Sequence, residues 1–378
     1  MIRPVSLSFR MVGIYASTVC ALLLVTKAQA ADIVLVFAGQ SNMVGMGTVN
    51  TTLQPGDAGL IPGVMGFYSS APDSGNGPER QAESVYNAKG FQYDWATRIG
   101  PKGVAAGGSW QPYEAWKQSW TVNGTSYAKS PSSNTRLGDF WALGLNPGGP
   151  FENGAMAFKN QIRVQAYGPE LRVARRIHEA RPDDTIYIIK YAVGGTGISK
   201  WTPANTDCYA ALQAWVGCAR AALPRPAPIS GFFWMQGESD ALSANEAAQY
   251  RQRLDAMIAQ VRADAGAPRL PVVLAKIHPG LAGEANYAVA WGKWGASKGS
   301  AATVEMVRAA QAAIAATTPG VRAVETSDLT LMQQEWLDNR NDKMAVLKDT
   351  VAIHLDQASI LAIGDRMAAA WLEMNPAK

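Results

Sequence analysis

The sequence predicts an α/β protein, a three-layer α/β/α sandwich around a central parallel sheet. Three observations carry this reading. Short apolar runs recur along the chain, and the first three end in polar, Gly-containing turns. Segments with helical patterning and cap residues alternate with those runs. The 378 residues, 48% hydrophobic and 17% charged, can bury a sizeable core without disulfides and are too apolar for a disordered chain.

Five runs are expected to be strands. Asp32 to Ala38 is the first and stops at Gly39. Thr185 to Val193, Ile229 to Met235 and Leu270 to Ile277 follow, with Val321 to Glu325 as a weaker fifth. Helices fill the gaps. Tyr167-Gly-Pro-Glu170 opens one, with Pro169 near its first turn. Ser243-Ala-Asn-Glu246 is a capping-box sequence that starts a helix running to about Ala265. An Ala-rich helix spans Thr303 to Thr317 and is stopped by Pro319-Gly320. Asp356 caps a last helix that ends near Met374.

Residues 1–30 stand apart from this rhythm. Arg3 and Arg10 precede an apolar stretch from Val12 to Val25, and Ala28-Gln29-Ala30 forms a small-x-small site. That is a secretory signal peptide, with an apolar core too short for a stable membrane span. The mature chain, 31–378, is expected to be a single exported domain, secreted or periplasmic, and off the membrane after cleavage. Removing Arg3, Arg10 and Lys27 from 34 basic residues leaves 31 against 30 acidic ones. Nothing basic enough to bind nucleic acid remains. Export favours a disulfide between Cys208 and Cys218, which requires a bend between them.

Residues 45 to about 160 are rich in Gly, Pro, Ser and Asn and lack periodicity. They read as a long insertion packed by its own aromatics, among them Trp95, Trp110, Trp116, Trp120 and Trp141. Some of these rings could instead line a sugar cleft.

Strands of a parallel sheet deliver functional loops at their C-terminal edge. Here those loops carry Gly39-Gln-Ser41-Asn42-Met43, Gly194-Gly195-Thr196 and Gln236-Gly237-Glu238-Ser-Asp240, while Ile353-His354-Leu-Asp356 precedes the last helix. A serine at a strand-to-turn junction can act as a nucleophile while its own N–H binds an oxyanion. A glycine can offer a second N–H without obstruction. A glutamine amide can offer a third donor, and a histidine can deprotonate the serine. These are the parts of an acyl-transfer site.

The blocks Gly39-Gln-Ser-Asn-Met43, Gly168-Pro-Glu170, Tyr191-Ala-Val-Gly-Gly195-Thr196, Trp234-Met-Gln-Gly-Glu-Ser-Asp240 and His354-Leu-Asp-x-Ala-Ser, closing at Arg366, occur in that order. In this the chain resembles carbohydrate esterase family 6, the sialate O-acetylesterase-like branch of the SGNH (GDSL-type) hydrolases. The resemblance covers nearly all of residues 32–375. It implies the SGNH, flavodoxin-like hydrolase fold and a serine esterase that removes O-acetyl groups from carbohydrates without cofactor or metal. Ser41 takes the place of the nucleophile and His354 that of the base. The Ser41 N–H, the Gly195 N–H and the Gln236 side chain take the places of the oxyanion donors. The superfamily usually has Asp three residues before the histidine, where this chain has Val351. Some members of the branch use instead the Glu of the Gln-Gly-Glu turn, which is Glu238. Asp349 is the other acid near His354, and a site without an acid member stays open.

Bland roles compete with these. Ser41 could be a turn residue, Gly195 a plain turn glycine, Gln236 a structural hydrogen bonder and Glu238 a buried acceptor. Asp356 reads as a cap, His178 as a surface residue, and His278 as the one rival base. Gly237-Glu-Ser239-Asp-Ala241 lacks the second glycine of a nucleophile elbow. No dinucleotide fingerprint, phosphate loop or metal-ligand spacing is present. The expected substrate is acetylxylan or another acetylated polysaccharide, with acetylated sialic acid as the alternative. A catalytically weak carbohydrate-binding protein on the same fold, or an acetyl transferase using the same acyl-enzyme, would also carry these blocks.

Overall fold

The computed structural model describes residues 30–45, 57, 60–69, 108–114, 118–122, 125–129, 167–192, 195–203, 208–282, 300–331, 336–338, 345–347 and 354–376. Residues 1–29, nearly all of the expected signal peptide, lie outside them, as do Asp349 and Val351.

Five strands form where the apolar runs predict them: β1 (Asp32–Gly39), β6 (Thr185–Ala192), β7 (Ile229–Met235), β8 (Val272–Ala275) and β9 (Val321–Val324). All five pair in parallel, in the order β6-β1-β7-β8-β9. Burial on both faces explains why β1 and β6 read as continuous apolar runs.

The expected irregular insertion needs correction. It supplies β2 (Leu60–Ser69), which pairs parallel to β6, and β3 (Gly108–Glu114), which pairs antiparallel to β2. The sheet therefore has seven strands, with β3 as an antiparallel edge. Pro62, Gly63, Gly66 and Pro112 suppress the apolar pattern that would have marked these two strands. A separate hairpin joins β4 (Gln118–Val122) to β5 (Thr125–Lys129), and another joins β10 (Trp336–Asp338) to β11 (Ala345–Leu347). Trp110 serves the core. Its indole N–H donates to the Ala219 carbonyl at 3.0 Å and its ring packs on Phe67 and Tyr187. Trp95, Trp116 and Trp141 lie outside the described residues.

Alternation along β1 sorts the two cores. Val34, Val36 and Ala38 face one layer, and Ile33, Leu35 and Phe37 face the other. The first layer holds α3 (Cys208–Ala221), α4 (Ala244–Asp264) and α5 (Ala301–Thr317). The second holds α2 (Glu170–Ala180) and α6 (Gln357–Met374). Both caps form, but the Ser243 box is half made, since the Ser243 N–H donates to the Asp240 carbonyl at 3.1 Å and Glu246 pairs with Arg253. Ser243 accepts from the Glu246 N–H and Asp356 accepts from the Ser359 N–H.

The expected disulfide is also corrected. Cys208 and Cys218 sit ten positions apart on the unbroken helix α3 and are not joined. A helical rise over that spacing separates them by roughly 15 Å, beyond any disulfide. His178, expected at the surface, is half-buried on α2.

Candidate active site

Four blocks meet at the C-terminal edge of β1, β6 and β7. The reversal of strand order about β1 opens the sheet edge there. Ser41 opens α1 (Ser41–Val44), a single turn closed by the Gly45 N–H on the Ser41 carbonyl at 3.0 Å. As a first-turn residue its own N–H has no intrahelical acceptor. The preceding Gln40 ties the turn to β7, because its N–H donates to the Met235 carbonyl at 3.0 Å.

A second support comes from below. Gly168 lets the start of α2 approach this turn, since a Cβ there would lie 2.2 Å from the Met43 carbonyl oxygen. Glu170 accepts from the Gly168 N–H at 3.0 Å and pairs with Lys190 of β6 at 3.1 Å, both side chains fully buried. The Gly-Pro-Glu block is thus the floor under the Ser41 turn.

Asn42 links three blocks, a role the sequence reading did not assign. Its Nδ2 donates to Glu238 Oε1 at 2.6 Å, and its Oδ1 accepts from the Leu355 N–H at 3.0 Å. The neighbour of Ser41 therefore holds the neighbour of His354. A Leu331–Leu355 bridge and the Asp356 N–H on the Thr330 carbonyl at 3.1 Å fix the same loop. A polar residue directly after a candidate nucleophile, able both to donate and to accept, was the available signal.

His354 is only 5% exposed, and burial lowers its pKa to about 4. It is therefore a neutral imidazole at pH 7. Glu238 is buried as well. Desolvation pushes its carboxyl up while the Asn42 amide pulls it back, and its Oε2 has no hydrogen-bond partner among the described residues. Its hydrogen bond goes to Asn42, and so to the His354 loop through Asn42.

Gln236 is held on both sides. Its carbonyl accepts from the Tyr250 hydroxyl at 2.8 Å and the Gln311 amide at 2.9 Å. Its Nε2 donates to the Thr196 carbonyl at 2.8 Å and Asp240 Oδ2 at 2.5 Å, with Gln40 Oε1 at 3.2 Å. Both amide hydrogens thus have protein acceptors, and Gln236 acts as a clamp on the loop after β6. Gly195 in that loop is exposed, with φ +71° and open space where a Cβ would stand. Such a φ favours glycine, so the residue is more than a spacer.

The rival base is occupied. His278 Nδ1 accepts from the Gly280 N–H at 2.9 Å, which leaves Nε2 protonated and donating to the Leu329 carbonyl at 2.9 Å. Asp356 is engaged as the α6 cap.

The fold and these converging blocks define the class, a three-layer α/β protein of the carboxylic ester hydrolase type. The family model described as "Carbohydrate esterase, sialic acid-specific acetylesterase" matches residues 150–373, more than half of the chain, and the chain belongs to that family. The matched span holds Gly195, Gln236, Glu238 and His354, whereas Ser41 precedes it. A "Probable carbohydrate esterase" of Arabidopsis thaliana is 28% identical over 120 residues, 31% of this chain and 45% of that protein's length. The chain thus spans less than half of that relative. A solved Arabidopsis thaliana structure superposes with TM-score 0.51 at 16% identity, over 91% of this chain and 98% of that one. The crystal structure of NanS does so with TM-score 0.52 at 14% identity, over 92% and 98%. These two likenesses concern the fold.

Proposed function

We propose that the protein is an exported serine esterase that removes O-acetyl groups from carbohydrates through an acetyl-serine intermediate. The observation that carries this is the Asn42 bridge, which holds the Ser41 turn against the His354 loop and the Glu238 turn. Membership of a carbohydrate acetylesterase family supports the substrate class.

The cycle assigns a role to each of these groups. Neutral His354 takes the proton from Ser41 Oγ, and Oγ attacks the acetyl carbonyl carbon. The Ser41 and Gly195 N–H groups receive the developing oxyanion. Gln236 joins them only by giving up one of its present acceptors. Collapse breaks the ester C–O bond, and the sugar hydroxyl leaves with the proton from His354. Water activated by His354 then attacks the acetyl-serine and releases acetate.

A base buried this deeply is a poor proton acceptor unless its imidazolium is stabilised. We assign that task to Glu238, which Asn42 ties to the His354 loop, with Asp349 as the competing acid. The leader at residues 1–30 supports export. The substrate is acetylxylan or another acetylated polysaccharide, and acetylated sialic acid is the alternative that the family description favours.

Acetate release from acetylated xylan, other acetylated polysaccharides and O-acetylated sialic acid, for wild type and Ser41→Ala, tests activity and substrate together. We expect release from at least one, and a loss on the order of 10³-fold or more in Ser41→Ala. Unchanged release by a folded Ser41→Ala enzyme overturns the serine mechanism. Binding without release points to a carbohydrate-binding protein.

A further inference from the structure

Asp240 is fully buried at the end of the third block, and no step above uses it. Its two carboxylate oxygens accept from one donor, the Ile198 N–H, at 3.0 and 2.9 Å. Oδ2 also accepts from Gln236 Nε2 at 2.5 Å. The same Gln236 nitrogen donates to the Thr196 carbonyl at 2.8 Å. The backbone on both sides of Gly197 is thus held by one joined pair, the Thr196 carbonyl by Gln236 and the Ile198 N–H by Asp240. Gly197 permits this approach, because a Cβ there would lie 3.3 Å from Asp240 Oδ1. A third tie comes from the Trp201 indole N–H, which donates to Thr196 Oγ1 at 2.9 Å. All three ties act on the loop that carries Gly195.

We propose that Asp240, through its hydrogen bonds to Ile198 and Gln236, is a positioning residue for the oxyanion site, fixing the loop that presents the Gly195 N–H. This rests on the serine-esterase reading above. The physical case is one of cost. Burying a carboxyl without a charged partner in contact is unfavourable unless its hydrogen bonds are worth more than the desolvation. Burial pushes Asp240 up to about 7, while the Gln236 amide and the Ile198 N–H pull it back, and Glu246 and Arg253 act on it with opposite signs. An alanine or a short apolar side chain would fill the turn without that burden. What the carboxyl adds is two directed acceptors that no apolar residue supplies.

The backbone of Asp240 is itself rigid. Its carbonyl accepts from the Ser243 N–H at 3.1 Å, and the next carbonyl, of Ala241, accepts from Thr303 Oγ1 at 2.5 Å. Loop position is therefore set from the α4 and α5 side of the sheet. A displacement of the Gly195 N–H by a fraction of an ångström weakens a bond made only in the transition state, so kcat should fall with KM unchanged.

The test compares wild type, Asp240→Asn, Asp240→Ala and Ser41→Ala. Active sites are titrated with an organophosphonate, and kcat per titrated site and KM are measured on p-nitrophenyl acetate. Binding of a trifluoromethyl ketone, whose serine adduct places an oxyanion in the hole, is measured alongside. We expect Asp240→Asn, which keeps one acceptor for Ile198, to lose about tenfold in kcat, and Asp240→Ala to lose more, up to about 10²-fold, the scale of one oxyanion donor. KM should stay within about twofold, and ketone affinity should fall in parallel with kcat. A kcat per site within about twofold of wild type in both Asp240 variants, with Ser41→Ala inactive, overturns the role of Asp240 and leaves the serine reading standing. Activity that survives Ser41→Ala overturns the serine reading and the assignment with it. Failure of both Asp240 variants to reach a native far-UV spectrum makes Asp240 a requirement of the fold and overturns a role confined to the loop.

Discussion

Asn42→Ala removes two hydrogen bonds and strands both partners. The Leu355 N–H loses its acceptor at 3.0 Å, and Glu238 Oε1 loses its donor at 2.6 Å. Glu238 Oε2 already lacks a partner among the described residues, so the carboxyl would keep only a contact with its own backbone. Each buried group left unsatisfied costs about 1–3 kcal/mol, and a charged one lies at the upper end. The sum is on the order of 3–5 kcal/mol. Against a total stability of about 5–15 kcal/mol the variant remains folded at 25 °C. Its Tm should drop by roughly 4–7 °C. Activity should fall further than stability suggests, because the lost bond also sets where the His354 loop sits relative to Ser41. A shift of about 1 Å there costs on the order of 10²-fold in kcat. Asn42→Asp separates the two bonds. It keeps an acceptor for Leu355 but sets a second carboxyl against Glu238, and the two must share a proton. Its defect should therefore be smaller at pH 5 than at pH 8. Calorimetry and kcat on a soluble acetyl ester read all three enzymes. An Asn42→Ala enzyme within about one degree and twofold of wild type would refute the idea that Asn42 joins the blocks.

Four further outcomes are expected. His354 has a depressed folded pKa of about 4 against 6.5 unfolded, so its contribution to stability is complete above pH 6.5 and is lost as the pH falls toward 4. Unfolding free energies from urea titration of wild type and His354→Gln should diverge by about 3 kcal/mol between pH 4 and 7, and parallel pH profiles would contradict a buried neutral imidazole. Glu238→Gln retains an acceptor for Asn42 yet should lower kcat by roughly 10²-fold, with Asp349→Asn changing it less than about tenfold; the reverse order makes Asp349 the acid. Gly168→Ala places a Cβ 2.2 Å from the Met43 carbonyl oxygen and should cost about 1–3 kcal/mol in chemical denaturation, with an undisturbed midpoint counting against the floor role. Thiol titration of denatured protein comprising residues 31–378, without reductant, should find two thiols per chain, and finding none would mean that Cys208 and Cys218 are bridged after all.

The sequence was legible where one local rule sufficed. β1, β6 and β7 are buried on both faces, so each is a continuous apolar run, and each is followed in the sequence by a polar, Gly-containing turn at the sheet edge. Ser243 and Asp356 announce their helices because a cap is a contact between residues three apart. Strands β2 and β3 were hidden because Pro and Gly break their apolar pattern, and only pairing with β6 makes them strands. An expected Cys208–Cys218 disulfide is incompatible with a straight helix, whereas α3 runs unbroken through both cysteines. The ordered blocks pointed to Ser41, Gly195, Gln236, Glu238 and His354 and to a family. They did not say who holds whom. Asn42 to Leu355 spans 313 residues and Asn42 to Glu238 spans 196, so no periodicity or spacing encodes those bonds. The sequence by itself determined the layers, the sheet edge and the residue types available there. Tertiary structure alone decided that Asn42 joins three blocks, that Gln236 and Asp240 clamp the Gly195 loop, and that His278 is engaged with backbone, because each follows from groups that meet only once the sheet has formed and water has been excluded.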